Sequence, residues 1–200
     1  MTHVGNTAVI PRARLDALTD GVFAVAMTLL VIDLKLPERF NPASAEALLH
    51  GLAELQTQFF VYVLSFLVLG IRWMSLARLG GHGDTVGKAF AWWALAHLFL
   101  ITCLPFSTMV VGRYGELAPA QWLYAANTLL GALVALRMVT LARAHASAED
   151  LFEWRIGLIV VVVMSLLAVA ISFVNPRLAL WAYLLNIIAP ALRRHRRKAA

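Results

Sequence analysis

Long apolar stretches dominate the chain, and short polar segments separate them. Each stretch approaches the roughly 20 residues that an α-helix needs to cross the hydrocarbon core of a bilayer. They lie at approximately 14–36, 52–72, 89–111, 119–141, 156–174 and 177–192. The pattern therefore predicts an all-α membrane protein, with six transmembrane helices in a single domain over residues 1–200.

The polar segments between these stretches are short. The longest are expected to be loops around 37–51, 73–88 and 142–155. Asn175-Pro176 divides the last two stretches, because proline cannot continue a helix and also disfavours helical geometry in the residue before it. We therefore expect a tight turn there between two antiparallel helices.

The composition supports a membrane location and argues against an enzyme. Hydrophobic residues make up 61% of the chain and charged residues 14%, against roughly 45–50% and 25% in soluble domains. The single cysteine, Cys103, rules out an internal disulfide, and the six histidines show no metal-ligand spacing. No catalytic set, cofactor site or resident metal site is predicted.

The distribution of basic residues predicts the orientation of the helices. If the N-terminus is cytoplasmic, 13 of the 17 Lys and Arg residues fall on the inner side, where membrane proteins concentrate them. The four on the outer side are Lys35, Arg39, Arg113 and Arg177. Both termini are then cytoplasmic. The basic tail 193–200 is interpreted as an orientation signal near anionic lipid, rather than as a nucleic-acid-binding patch.

The first predicted helix begins with three charged residues: Arg14, Asp16 and Asp20. Arg14 and Asp16 are consistent with a charged helix end at the membrane surface. Asp20 lies deeper, and its spacing of six residues from Arg14 is poor geometry for a bridge within one helix. We therefore expect its partner on a neighbouring helix or subunit.

Farther along this helix, Val25, Thr28, Leu29 and Ile32 recur at intervals of three and four residues and so share one face. The spacing alone fits ordinary helix packing as well as it fits a pore lining. Thr28 could equally donate a hydrogen bond to a backbone carbonyl one turn earlier.

Asp33 lies at the outer end of the first helix. It could concentrate cations at the mouth of a pore, or it could pair with Lys35 or Arg39. Other polar residues in the later helices are expected to join helices or cap helix ends rather than to conduct ions. These residues are Asn127, Thr128, Arg137 and Asn186.

Three sequence segments resemble the transmembrane protein 175 family of potassium channels. The opening Arg14-x-x-x-Leu18-Thr19-Asp20, followed by GVFAVAMTLLVIDL, is similar to the family's first-helix signature, Arg-x-x-x-Phe-Ser-Asp. Leu replaces Phe here, and Thr replaces Ser but keeps its hydroxyl. FFVYVLSFLVLGIRW (59–73) and ITCLPFSTMVVGRYG (101–115) resemble the second and third helices of the family.

The chain departs from the family pattern at two places. Family members usually carry histidine shortly after the second-helix Trp, whereas Leu76 and Ala77 follow Trp73 here. They also carry asparagine early in the third helix, where 92–94 reads Trp-Trp-Ala. His97 could substitute, although a lone helix histidine is more typical of local packing.

The resemblance implies a homotetramer in the cell membrane that conducts K⁺ passively through a central pore lined by the first helix. Val25 would form the constriction nearest the cytoplasm, slightly wider than the Leu or Ile of relatives, and Thr28 would form a ring of hydroxyls. Leu29 and Ile32 would add apolar layers. The polar network that holds this helix would comprise Arg14, Leu18, Thr19 and Asp20.

The implied mechanism is physically coherent. Hydroxyl rings can replace part of an ion's hydration shell, and apolar constrictions can close by dewetting. The sequence has no TVGYG-type filter. Two alternatives remain open: a proton-coupled or proton-permeable transporter that uses Asp20, and a non-conducting membrane scaffold.

Overall fold

A computed structural model of the chain describes residues 10–78, 84–142, 148–179 and 181. Most of these residues are helical. The elements, in chain order, are β1 (Ile10–Pro11), α1 (Arg12–Ile32), α2 (Ala45–Glu54), α3 (Gln56–Arg78), β2 (Thr85–Val86), α4 (Lys88–Tyr114), α5 (Ala118–Ala142), α6 (Ala148–Ser172) and α7 (Pro176–Ala179).

The fold is that of an all-α, multi-pass membrane protein. Among the described residues, five helices are long and apolar enough to cross a membrane: α1, α3, α4, α5 and α6. The sixth predicted span, 177–192, falls mostly outside the described residues, which include only α7 and Trp181 from that region. The basic tail 193–200 also lies outside them.

The first predicted helix, 14–36, is shifted in the structure. Helix α1 begins two residues earlier, where Arg12 donates its backbone N–H to Asp84 O at 2.9 Å. It ends four residues earlier, at Ile32. The chain turns directly after Ile32, where Leu34 N donates to Val31 O at 3.0 Å. Pro37 then disfavours helical geometry at Leu36.

The predicted loop 37–51 contains a helix that the sequence analysis missed. Helix α2 starts after Ser44, whose hydroxyl caps it by accepting from Ala47 N at 3.1 Å. The Phe40 ring lies so close to Gly51 that a Cβ there would be 2.3 Å from it. Only glycine permits this approach, which folds the start of the segment back onto α2.

The start of the second predicted span, 52–72, is likewise corrected. Residues 52–54 belong to α2, the chain bends at Leu55, and α3 begins at Gln56. The apolar residues at the end of α2 had merged with the apolar run of α3. Three leucines of α2 remain exposed: Leu48, Leu49 and Leu52.

The later helices follow the predicted pattern more closely. Helix α4 and helix α5 extend the predicted 89–111 and 119–141 by one to three residues at each end. Helix α6 begins eight residues before the predicted start at 156, because its charged first turns continue the helix beyond the apolar run. The predicted break at Asn175-Pro176 is confirmed, since α6 ends at Ser172 and α7 begins at Pro176.

Helices α1 and α4 run in the same direction. The antiparallel pairing of β1 with β2, Ile10 opposite Val86, brings their first residues together. An ion pair between Asp33 and Arg113 joins their last residues. Helix α1 packs against α3 and α4, and α5 packs between α4 and α6. The largest buried side chains of this bundle include Phe23, Leu64, Ile101 and Tyr124.

Candidate functional site

Helix α1 has two unlike faces. One face is buried against α3 and α4 through Leu15, Phe23, Ala26 and Leu30. The other face is exposed along its whole length. We call it the α1 stripe, and it consists of Leu18, Gly21, Val25, Thr28, Leu29 and Ile32. At about 100° per residue, these six positions fall within an arc of roughly 100°.

The α1 stripe contains all four residues that the sequence analysis selected for a pore. Val25 is 57% exposed, Leu29 43% and Ile32 66%. Thr28 is exposed among them, and its Oγ1 donates to Val25 O at 2.8 Å. A hydroxyl that donates its hydrogen bond to a carbonyl keeps its oxygen lone pairs. The Thr28 oxygen can therefore still coordinate a cation or accept a hydrogen bond from water.

A groove of about 370 Å³ runs along this side of the helix. Seven of its lining residues belong to α1, and α4 contributes Thr102. None of the lining residues is charged, so the groove offers no ionic anchor for a polar substrate. Within the described ranges, no three His, Cys, Asp or Glu residues are grouped as a metal site.

The first-helix motif is anchored to α3. Asp20 Oδ1 accepts a hydrogen bond from Trp73 Nε1 at 2.8 Å, which confirms the expected partner on a neighbouring helix. Thr19 Oγ1 donates to Leu15 O at 2.8 Å. Arg14 and Leu18, the other motif residues, are both exposed.

Asp16 pairs one turn back along its own helix, with Arg12 Nε at 3.5 Å. The sequence analysis missed this pair because it began the helix at Arg14. The spacing of four residues between Arg12 and Asp16 is the signal that could have revealed it.

Asp33 pairs with Arg113 at the end of α4, and not with Lys35 or Arg39 as the sequence analysis suggested for a paired carboxylate. Lys35 instead lies 3.9 Å from Glu38. The difference follows from the end of α1 at Ile32, which turns Asp33 toward α4. Its side chain is 26% exposed.

Polar side chains of α5 join it to its neighbours, as predicted for Asn127 and Thr128. Asn127 Nδ2 lies 3.4 Å from Ser107 Oγ on α4, and Thr128 Oγ1 lies 3.0 Å from Ser165 Oγ on α6. Arg137 lies 3.3 Å from Thr140 on its own helix. Asn186 is outside the described residues.

A second buried set of hydroxyls joins α3, α4 and α5. Thr108 Oγ1 donates to Ser65 Oγ at 2.9 Å, and Ser65 Oγ lies 3.2 Å from Tyr124 Oη. All three residues are buried. These hydrogen bonds fix the positions of the helices behind α1.

Arg72 also points into this part of the bundle. Its Nη2 donates to Thr128 O at 3.0 Å. His97, on α4, is 3% exposed and lies in the bundle interior. The sequence predicted only that Arg72 lies on the inner side, because the positive-inside rule does not show where a side chain points.

The comparisons with known proteins agree with this arrangement. The family model described as "Endosomal/lysosomal potassium channel TMEM175" matches residues 14–105, which include α1, α3 and most of α4. The crystal structure of a lysosomal potassium-selective channel TMEM175 homolog from Chamaesiphon minutus superposes with a TM-score of 0.78 at 27% identity. That match covers 90% of this chain and 96% of the homolog. The chain is therefore similar to the TMEM175 family in sequence over residues 14–105 and in fold over most of its length.

Three relatives are also similar to this chain. A potassium channel of Streptomyces collinus is 34% identical over 101 residues, which are 50% of this chain and 48% of that protein. A potassium channel of Chamaesiphon minutus is 30% identical over 126 residues, 63% of this chain and 61% of that protein. A potassium channel of a Chryseobacterium species is 32% identical over 101 residues, 50% of this chain and 49% of that protein. The chain thus spans about half the length of two of these relatives.

The segment matched by the TMEM175 family model contains the α1 stripe, the first-helix motif and Trp73. In this chain the motif reads Leu18-Thr19-Asp20, and Asp20 has a partner on α3 although residues 76–77 lack a histidine. The similarity to TMEM175 therefore covers the same part of the chain that carries the candidate site.

Proposed function

We propose that this chain is the subunit of a potassium channel that conducts K⁺ passively through a pore lined by α1. The observation that carries the proposal is the α1 stripe, which is exposed along a membrane-spanning helix and carries an exposed hydroxyl, Thr28, near its centre. The names of the three relatives, all potassium channels, support K⁺ as the permeant ion.

The assembly that we propose is a homotetramer in the cell membrane. A single α1 cannot enclose a pathway, so a pore requires several copies of the chain around one axis. The groove beside Ala17, Gly21 and Thr102 has room for apolar side chains of a neighbouring subunit. The bias of Lys and Arg supports six spans with both termini in the cytoplasm.

Within this pore, the layers of the α1 stripe have different roles. Val25 forms an apolar constriction on the cytoplasmic side, which conducts only when water fills it. Thr28 presents a ring of oxygens that replaces part of the hydration shell, and K⁺ gives up water at a lower cost than Na⁺. Leu29 and Ile32 line the pathway above this ring.

The first-helix motif holds α1 in place. We propose that Thr19 and Asp20 fix the cytoplasmic half of the helix, supported by the Trp73–Asp20 hydrogen bond. Arg14 and Leu18, both exposed, then contact neighbouring subunits. At the opposite end, Asp33 contributes negative charge to the outer mouth, and Arg113 offsets most of it.

Ion flux into liposomes with K⁺, Na⁺ and Cs⁺ gradients tests the proposal. The wild type is expected to pass K⁺ faster than Na⁺, and Thr28→Ala is expected to lower that ratio. Thr102→Ala is a matched control, because Thr102 is also exposed and also donates to a carbonyl three residues earlier, Phe99 O. This substitution should leave the ratio unchanged.

Three results would overturn parts of the proposal. A wild type that passes no cation excludes the channel and favours the scaffold. Equal rates for all cations, unchanged by Thr28→Ala, exclude the hydroxyl ring. Flux that requires a proton gradient and is lost in Asp20→Asn indicates the transporter instead.

A further inference from the structure

Arg72 occupies a place where arginine is costly. It lies six residues before the end of α3, inside a helix that crosses the membrane, and charged groups within such helices are rare and usually functional. Its side chain is partly buried and extends to α5, where Nη2 donates to Thr128 O at 3.0 Å. The guanidinium therefore links α3 to the backbone of α5.

Gly131 makes this link possible. A Cβ at position 131 would lie 2.8 Å from Nη1 of Arg72 and 3.5 Å from its Cζ. Real Cβ contacts are almost never as short as the first of these distances, so any side chain there displaces the guanidinium. Arg72 thus fits against α5 because position 131 has no side chain.

Helix α4 packs against α5. Its His97 is 3% exposed and contacts the backbone of Gly131. Arg72 is therefore anchored on α5 close to the place where α4 and α5 pack together. It belongs to the scaffold behind α1 and is separate from the α1 stripe.

The next residue of α3 is Trp73, which donates Nε1 to Asp20 of α1 at 2.8 Å. Successive residues of a helix point about 100° apart, so α3 presents Arg72 to the scaffold and Trp73 to α1. If Arg72 fixes the rotation of α3 about its axis, it also fixes the direction of the Trp73 indole. The two residues form a continuous link from α5 to the first-helix motif.

We propose that Arg72 is a positioning residue for conduction. Held by Thr128 O and the space at Gly131, it sets the Trp73 indole and thereby holds Asp20 and the cytoplasmic half of α1 in the conducting geometry. The proposal rests on the proposed function, in which α1 lines the pore.

The first test reads the indole directly and does not depend on conduction. The assembled channel is labelled with 5-fluorotryptophan, and Trp73→Phe identifies the Trp73 signal among the six tryptophans. Gly131→Ala is expected to shift the ¹⁹F resonance of Trp73. Gly157→Ala is the matched control, because a Cβ at Gly157 meets nothing within 4 Å; it should leave that resonance in place.

The second test measures flux. Gly131→Ala and Arg72→Gln are each expected to change the K⁺/Na⁺ flux ratio by about threefold, the scale of one interhelical hydrogen bond in a membrane. In a Trp73→Phe background, Gly131→Ala is expected to cause no further change. Residues that act through one another give such non-additive effects, whereas a general loss of structure does not.

The outcomes separate this proposal from the proposed function. An unshifted Trp73 resonance in both Gly131→Ala and Arg72→Gln overturns the positioning role. The role is also overturned if Gly131→Ala changes the K⁺/Na⁺ flux ratio as much in the Trp73→Phe background as in the wild type. If the ¹⁹F resonance of Trp73 shifts in these variants while the wild type shows no K⁺ flux, the structural link is supported and the proposed channel function is wrong.

Discussion

Helices α1 and α5 are both long and apolar enough to cross a membrane, yet the chain buries them very differently. In the apolar 18-residue segment of α5, 50% of the residues are buried inside the chain, whereas in that of α1 22% are. Helix α5 uses Tyr124, Asn127 and Thr128 to join its neighbours. Helix α1 leaves a complete face open. Two helices that both pass as membrane spans thus differ in packing: α5 contacts its neighbours on several sides, whereas α1 has a face that the rest of the chain does not cover.

Exposure alone does not define a pore, and α6 shows why. Only 17% of the residues in its apolar segment are buried, which is less than in α1. However, its two described hydroxyls, Ser165 and Ser172, are both buried, whereas Thr28 of α1 is exposed. The exposed face of α6 is apolar, as expected for contact with lipid. The exposed face of α1 also carries the Thr28 hydroxyl, which is able to contact a cation.

The largest expected effect separates a buried side chain of α1 from an exposed one of α4. Phe23 is 1% exposed within the main core cluster, so Phe23→Ala should lower the free energy of unfolding by about 3 kcal/mol. Phe99→Ala removes an equal side chain that is 65% exposed, and it should cost far less. Thermal unfolding of the detergent-solubilised assembly measures both. Equal losses would mean that Phe99 is covered in the assembly.

A change within the α1 stripe should affect flux and leave stability unchanged. Val25→Asn introduces a polar amide at the proposed constriction, which favours water there. We expect K⁺ flux into liposomes to rise about tenfold, equivalent to a barrier lowered by about 1.4 kcal/mol. Val25→Ala should raise it less. Unchanged flux in both variants would remove Val25 from the constriction.

The reverse pattern is expected in α5. Thr128→Val removes the hydroxyl that meets Ser165, so the unfolding free energy should fall by about 0.6 kcal/mol, the mean for such bonds in a membrane. The Thr128 carbonyl that binds Arg72 is retained, and flux should not change. Thr28→Val is the counterpart, because among the described residues Thr28 bonds to Val25 O of its own helix. It should change flux and leave the unfolding free energy nearly unchanged. A drop in flux with Thr128→Val would contradict the division of roles.

The smallest effect concerns the outer end of α1. Arg113→Gln frees the Asp33 carboxylate and should raise K⁺ flux about twofold at low ionic strength, with the gain vanishing in high salt. Arg39→Gln removes the same charge from an exposed residue without freeing Asp33. If both substitutions act equally, general surface charge explains the change and the ion pair does not.

The spans of α4 and α5 were predictable within three residues because each is a long apolar run between polar ends. Helix α2 was not, since its leucines adjoin the apolar run of α3 and only the bend at Leu55 separates them. A capping serine at Ser44 was the available signal. Local apolar patterns therefore located the long helices and missed a short one.

The partners of the polar residues were harder to predict. The position of Asp20 indicated a partner on another helix, but nothing in the sequence singled out Trp73, 53 residues away. The same holds for Arg113, 80 residues from Asp33. Such pairs depend on how the helices pack, and hydropathy and charge counts do not report packing. The spacing of Val25, Thr28, Leu29 and Ile32, by contrast, showed that they share one helix face, although it did not show that this face is exposed.

The contact between Arg72 and Gly131 has a consequence for the evolution of the sequence. Substitutions at positions 72 and 131 depend on each other, because a side chain at 131 and a guanidinium at 72 require the same space. In homologous chains, arginine at the position of Arg72 should occur together with glycine at the position of Gly131. Homologues without this arginine should tolerate alanine or a larger residue in place of the glycine. This pairing is a covariation signature that can be read from sequences alone.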